Sequence, residues 1–216
     1  DGRAGQRVAP RSHRGAGMGT GGPCRQAGSD LPAGRSCSGA VCRAVGSSIR
    51  SPSVEAMVAK QDIEYLQRFY ARATDQIGTN VPENIEAGRA IYHRIFTSDA
   101  TIAASDPAGT KFRVTGPDEW VKVVDGALSV FDSTQHLLGT QIVELEALPD
   151  SEGRGGAASM TSYLQAWHHD PDRVIDIYLG TYYSKVRYTD GIGWQIYDMR
   201  LEKVAGEVID KSSDGP

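Results

Sequence analysis

The period of the apolar residues changes once along this chain, from about 3.6 to 2, and that change limits what the chain can fold into. Ile63, Leu66, Phe69, Tyr70, Ala73 and Ile77 recur three and four apart. The stripe predicts an amphipathic helix from about Lys60, ending at Gly78, whose permissive backbone suits a helix exit. A weaker stripe from Pro82 to about Phe96 predicts a second helix with proline in its first turn. FTSDATIAAS then reads as a short strand, and ASDPAGTKFRVTG as a hairpin-like excursion with Pro and Gly turns. GPDEWVKVVDGALSVF predicts a third helix. Pro117 suits its first position, Asp118 and Glu119 favour its positive end, and Trp120, Val121, Val124, Leu128 and Phe131 form its stripe. After it the alternation becomes twofold, over candidate strands at 134–148, 157–168, 174–188 and 194–203. Helices first and long strands afterwards argue for an α+β fold and against alternating βαβ units. To share one core, mostly antiparallel strands of this length must curl over the three helices as a strongly curved sheet around a deep pocket.

The first 56 residues have a different texture. They contain no Phe, Tyr or Trp and are rich in Gly, Arg, Ser and Ala, a composition that buries too little apolar surface to offset the entropy of ordering. Residues 1–56 are therefore expected to be a disordered or non-native extension, a targeting segment or a regulatory tail. Met57 is expected to open a domain over 57–205, followed by a flexible tail over 206–216. The extension carries eight Arg and three acids, 8 − 3 = +5, so the remaining 160 residues carry −4 − 5 = −9. Such an acidic domain lacks the basic stripe that nucleic-acid binding requires. No apolar run is long enough to span a bilayer, so no membrane partner is expected and the chain is read as cytoplasmic. Cys24, Cys37 and Cys42 all lie in the extension, in a C-x12-C-x4-C spacing without the close pair typical of zinc sites. No nucleophile elbow, P-loop, dinucleotide fingerprint or H-E-x-x-H occurs, and GAGMGTGG follows no strand. Neither a metal nor a cofactor is expected.

Two residues on different elements suggest chemistry. Asp75 sits near the C-terminal end of the first helix, where the macrodipole disfavours negative charge. It is either a solvated helix-end acid or a residue with a compensating partner. His136 lies near the start of an alternating strand, and on the concave face its ring would enter the pocket. It is then a satisfied core histidine or a base with a pKa tunable around neutrality. Tyr70, five residues before Asp75, stands about 140° from it around the helix, so both point into one core only if the helix frays. Of the adjacent pair His168 and His169, strand parity places His168 on the face of Leu164 and Ala166. Phe131, Tyr163, Trp167 and Arg200 are candidate substrate contacts. For Arg200, a salt bridge to Asp198 or Glu202 is the competing reading. For the aromatic residues, including Tyr178, Tyr182 and Tyr183, it is sheet packing or oligomer contact.

FYARATD, GPDEWV, TQHLLGT, SYLQAWHH and DGIGWQIYDMRLE resemble the SnoaL-like branch of the nuclear transport factor 2-like (NTF2-like) superfamily, which includes scytalone dehydratase and bile-acid 7α-dehydratase. The resemblance covers roughly residues 60–203 and implies a cone-shaped NTF2-like fold. In those dehydratases the histidine of TQH and the helix-end aspartate form a dyad, which maps onto His136 and Asp75. A second histidine after a similar strand maps onto His168 or His169, and an arginine of the bile-acid enzyme maps near Arg200. The resemblance implies a cofactor-independent lyase. It would dehydrate a small apolar cyclic or polyketide- or steroid-like hydroxy-carbonyl compound, with His136, Asp75, Tyr70 and His168 as its catalytic group. An isomerase or cyclase using the same base, or a non-catalytic binding module, are the competing expectations. A homo-oligomer, dimer or trimer, is expected because Tyr182, Tyr183 and Tyr188 would otherwise leave an apolar sheet face exposed.

Overall fold

The computed structural model describes residues 53–171 and 174–210. The expectations for the N-terminal extension and its three cysteines, and for the chain beyond 210, lie outside the described residues. Three helices, α1 (Val54–Ile77), α2 (Pro82–Ile95) and α3 (Pro117–Leu128), combine with six strands. The strands are β1 (Phe96–Asp106), β2 (Gly109–Thr115), β3 (Ser133–Ala147), β4 (Ala157–His169), β5 (Val174–Thr189) and β6 (Gly193–Asp210). They form one sheet in the order β2-β1-β6-β5-β4-β3. Every neighbouring pair is antiparallel except β1–β6, which is parallel. The fold is the expected α+β cone, with β2 and β3 left as edges, so the sheet does not close. A single core joins Ile63, Leu66 and Tyr70 of α1 and Trp120 of α3 to Met160 of β4 and Ile196 of β6. No helix among the described residues is long and apolar enough to cross a membrane.

Both ends of the domain extend past the expected limits. α1 starts at Val54, where the Ser53 side chain accepts a hydrogen bond from the Ala56 amide at 3.2 Å. Its first turns leave Val54, Met57 and Val58 exposed, so no apolar stripe marks them. β6 continues to Asp210 because the start of β5 needs a partner, and Val174 pairs with Asp210. The segment 206–210, expected as tail, is strand. At its other end α1 closes on Gly78 with φ −68°, so the left-handed freedom of glycine is not what the position uses. It uses glycine's small size: a Cβ there would meet Thr134 Oγ1 at 3.0 Å and Leu128 Cδ1 at 3.2 Å.

Two sets of hydrogen bonds fix α1 against β3, and the site depends on both. Near the middle of α1, Gln141 donates to the Glu64 backbone oxygen (3.0 Å) and accepts from Arg68 Nε (2.9 Å). The register shift between Gly139 and Ile142, with Thr140 at φ 46°, turns Gln141 toward the helix. At the end of α1 the partner is Asp75, described below. Burial alternates along β4, with Ser162, Leu164, Ala166 and His168 inward and Tyr163, Gln165 and His169 exposed. Tyr182 is also inward, 2 % exposed, and does not belong to the outer face assigned to it from sequence. The convex face instead exposes Leu137, Ile142, Tyr163 and Val204.

Candidate active site

Asp75 and His136 meet. The carboxylate Oδ1 lies 2.7 Å from His136 Nδ1 and accepts from Thr134 Oγ1 at 3.1 Å. Oδ2 accepts the His136 backbone N–H at 3.2 Å. These donors supply the compensation that an acid in the last turn of a helix needs. The helix does not fray: Asp75 is helical and half-buried, facing β3 from the side of α1. Tyr70, on another side of α1, is buried among the core aromatics. The expected conflict of angles disappears because Asp75 reaches the pocket only through His136.

An ionised carboxylate can only accept, so the Asp75 contact assigns the proton to Nδ1 and leaves the Nε2 lone pair available. The His136 side chain is 7 % exposed. It lines a cavity of about 360 Å³ between α1, α3 and the concave face of the sheet. Much of the wall is apolar, including Val124, Leu128, Leu164 and Ala166. The size suits a ligand of one or two rings.

His168 faces the same cavity from β4, as parity predicts, while His169 turns outward and approaches Asp132 at 3.7 Å. The His168 ring stacks on Phe131 (centroids 4.8 Å apart) and stands 5.6 Å from the His136 ring. Burial first, and the neighbouring His136 second, push its pKa down from 6.5 to about 4. It is therefore a neutral imidazole near pH 7, with one ring N–H to donate and one nitrogen to accept. Neither nitrogen has a hydrogen-bond partner among the described residues. A buried, unpaired polar group of this kind is costly unless a ligand supplies the partner.

At the floor, Trp120 Nε1 donates to the Tyr70 hydroxyl at 3.2 Å, and the Tyr70 ring packs edge-on against Tyr182 (centroids 5.3 Å). Burial raises the Tyr70 pKa against the opposing effect of the Trp120 hydrogen bond, so the phenol keeps its proton. Thr74 bonds the Tyr92 hydroxyl at 2.6 Å and fixes the layer beneath.

The structure brings together Asp75, His136, Tyr70, His168 and Phe131, the last from the turn after α3 and not from the helix itself. It does not bring Arg200, Trp167 or Tyr163 to the cavity. Arg200 is exposed on the convex face, paired with Glu202 (2.9 Å) and lying over the Tyr183 ring (5.0 Å). It alternates with inward Met199 and Leu201, so the strand itself turns it outward. Tyr163 and Trp167 alternate in the same way with Leu164, Ala166 and His168. Sequence reasoning missed Thr134, although it shares a strand face with His136 two residues on. It also missed the charged residues of the cavity mouth, Asp106, Lys111, Asp176 and Lys203.

Structural neighbours share the fold. A Novosphingobium aromaticivorans protein provisionally named a scytalone dehydratase is 19% identical, with a TM-score of 0.54 over 75% of this chain and 98% of its own. A hexachlorocyclohexane dehydrochlorinase from Novosphingobium barchaimii is 12% identical, with a TM-score of 0.57 over 75% of this chain and 97% of its own. An NTF2-like protein of cystatin-like fold from N. aromaticivorans is 16% identical, with a TM-score of 0.52 over 73% of this chain and 86% of its own. No curated protein matches the chain in sequence. The model of the SnoaL-like domain matches residues 86–200, which carry His136, His168 and most of the sheet, and the chain belongs to that family.

Proposed function

We propose that this protein is a cofactor-independent lyase that removes water from a small, largely apolar, cyclic hydroxy-carbonyl compound. The observation that carries the reading is the 2.7 Å contact between Asp75 and His136 beside a mostly apolar cavity. His136 Nε2 takes the proton on the carbon next to the carbonyl, and the electron pair of that C–H bond moves into an enolate. As the enolate collapses to a carbon–carbon double bond, the C–O bond of the neighbouring hydroxyl breaks. The imidazolium returns its proton to the departing oxygen, which leaves as water, and His136 is neutral again. Asp75 stabilises the transient imidazolium and fixes the ring. The His168 N–H and the Tyr70 hydroxyl are the donors offered to the enolate oxygen, and both stay neutral near pH 7.

Two of the proteins that share the fold are named for eliminations, one a dehydratase and one a dehydrochlorinase. A base beside a cavity that could hold a carbon skeleton is what the proposed elimination would use in this chain. The test is turnover on a panel of aromatic, polyketide and steroid hydroxy-ketones, followed by mass spectrometry. Dehydration lowers the product mass by one water. An unchanged mass would make the protein an isomerase or cyclase using the same base, and binding without turnover would make it a binding module. His136→Ala and Asp75→Asn are each expected to lower kcat by about 10²–10⁴-fold, the usual span for general acid–base groups, with much smaller changes in KM. Near-full activity of the His136→Ala enzyme would overturn the mechanism.

A further inference from the structure

Along β6 the residues directed at the cavity are Leu201 and, beyond it, Lys203. Alternation from Met199 and Leu201 turns Lys203 toward the cavity, and the ladder just beyond it fixes where its side chain lies. Leu179 of β5 pairs with Ala205, but the next residue, Gly180, pairs with Lys203, so Val204 is left out of the register. Val204 is 67 % exposed, as a bulged residue turned outward would be. The extra residue reverses the alternation. Lys203 and Gly206 then fall on the same side, with Gly206 opposite Tyr178. A Cβ on Gly206 would lie 3.1 Å from Lys203 Cε and 3.2 Å from its Nζ. The lysine side chain thus runs across the glycine and rests its ammonium 4.9 Å from the centre of the Tyr178 ring.

Charge balance at the mouth makes this placement informative. Lys111, the other lysine lining the cavity, is matched by Asp106 at 3.2 Å. Asp106 also feels the charge of Lys203, but no carboxylate among the described residues forms an ion pair with Lys203 within 4.0 Å, as Asp106 does with Lys111. A lysine at a rim ordinarily extends its head into water. Here the bulge and Gly206 hold it over an aromatic wall on the ligand side. Asp176, the cross-strand neighbour of His168, also lines the cavity, and its negative charge disfavours an anion on that side.

We infer that Lys203 anchors a carboxylate or comparably acidic oxyanion of the ligand, whose apolar body fills the cavity between this anchor and His136. The substrate class narrows to hydroxy-carbonyl compounds with an anionic group at the end remote from the reacting carbon. The assignment rests on the reading of this cavity as the substrate site, but not on the chemistry at His136.

The test uses the full-length chain and two probes of like shape and different charge, 2-naphthoate and 2-naphthamide, titrated by calorimetry at low salt. The wild type is expected to prefer naphthoate by about tenfold, with the preference shrinking as salt is added. Lys203→Met is expected to abolish the preference while leaving naphthamide binding within about twofold. Lys203→Arg is expected to keep it, and so is His136→Ala. Equal affinities in the wild type, a preference that survives Lys203→Met, or no binding of either probe would each overturn the assignment. Absence of dehydration by a wild type that still prefers naphthoate would count against the proposed reaction and leave the anchor standing. Dehydration by a wild type without the preference would do the reverse.

Discussion

Thr134 shows how finely the base is held. Its hydroxyl donates to the Asp75 oxygen that also meets His136 Nδ1, and across the ladder it faces His168. Removing that donor leaves the carboxylate one hydrogen bond short, and a bond to a charged group is worth about 1.5–3 kcal/mol. Thr134→Val is therefore expected to lower kcat by about tenfold or more, to change KM little and to move the pH–rate profile. Thr134→Ser is expected to restore both. A Thr134→Val enzyme with wild-type rate and profile would show that the hydroxyl does not position the dyad. At this scale strand parity made much of the site legible. It chose His168 over His169 correctly, and the same rule turns Tyr163, Trp167 and Arg200 outward, where they are found. Those three were placed by their chemistry or by resemblance when alternation alone would have excluded them. The same alternation from Leu201 turns Lys203 inward. What was not legible is the bulge at Val204 that brings Gly206 beneath its side chain, because no local residue signals that bulge.

Elements were legible where a stripe or an alternation was strong and illegible where contacts alone decide their limits. Strands β3 to β5 fall within a residue of expectation, since their alternation is strong. Helix α3 starts as expected and ends at Leu128, three residues before the Phe131 that its stripe was taken to include. The first turns of α1 and the last residues of β6 lack such a pattern and exist through a serine cap and a strand partner. The contact of α1 with α2 is similarly invisible from one segment at a time. A Cβ on Gly88 of α2 would come within 2.8 Å of the Ala73 backbone oxygen and 2.7 Å of Ile77 Cγ1. Glycine is normally the poorer helix residue by about 1 kcal/mol, so an exposed Gly→Ala change would stabilise α2. Here the helices must separate, and overpacking of this kind costs about 1–3 kcal/mol. Gly88→Ala is expected to lower the urea midpoint without changing the m-value. A raised midpoint would mean that the helices are not in the close contact described.

For the molecule as a whole, the cavity wall ties stability to pH through His168. Its pKa falls from 6.5 to about 4 on folding, chiefly because the ring is buried and then because His136 stands beside it. Asp176 and Asp75 oppose that fall, and Lys203 adds to it. Above pH 6.5 the ring is neutral in both folded and unfolded chains, so it contributes no pH dependence. Between 6.5 and 4 the unfolded chain takes up a proton that the folded chain refuses, and stability drops as pH falls. Below about 4 both states are protonated and the effect levels off. The thermal midpoint of the wild type is thus expected to decline from pH 6.5 toward 4. A His168→Gln variant, which cannot titrate there, is expected to decline less over the same interval, whatever its midpoint at pH 7. Carboxylates that titrate near pH 4 act on both proteins alike, so the difference between the two curves isolates the ring. Parallel curves would mean that His168 gains its proton as easily folded as unfolded. It would then be hydrated or charged in the cavity, and the neutral donor assigned to the enolate oxygen would have to be another group.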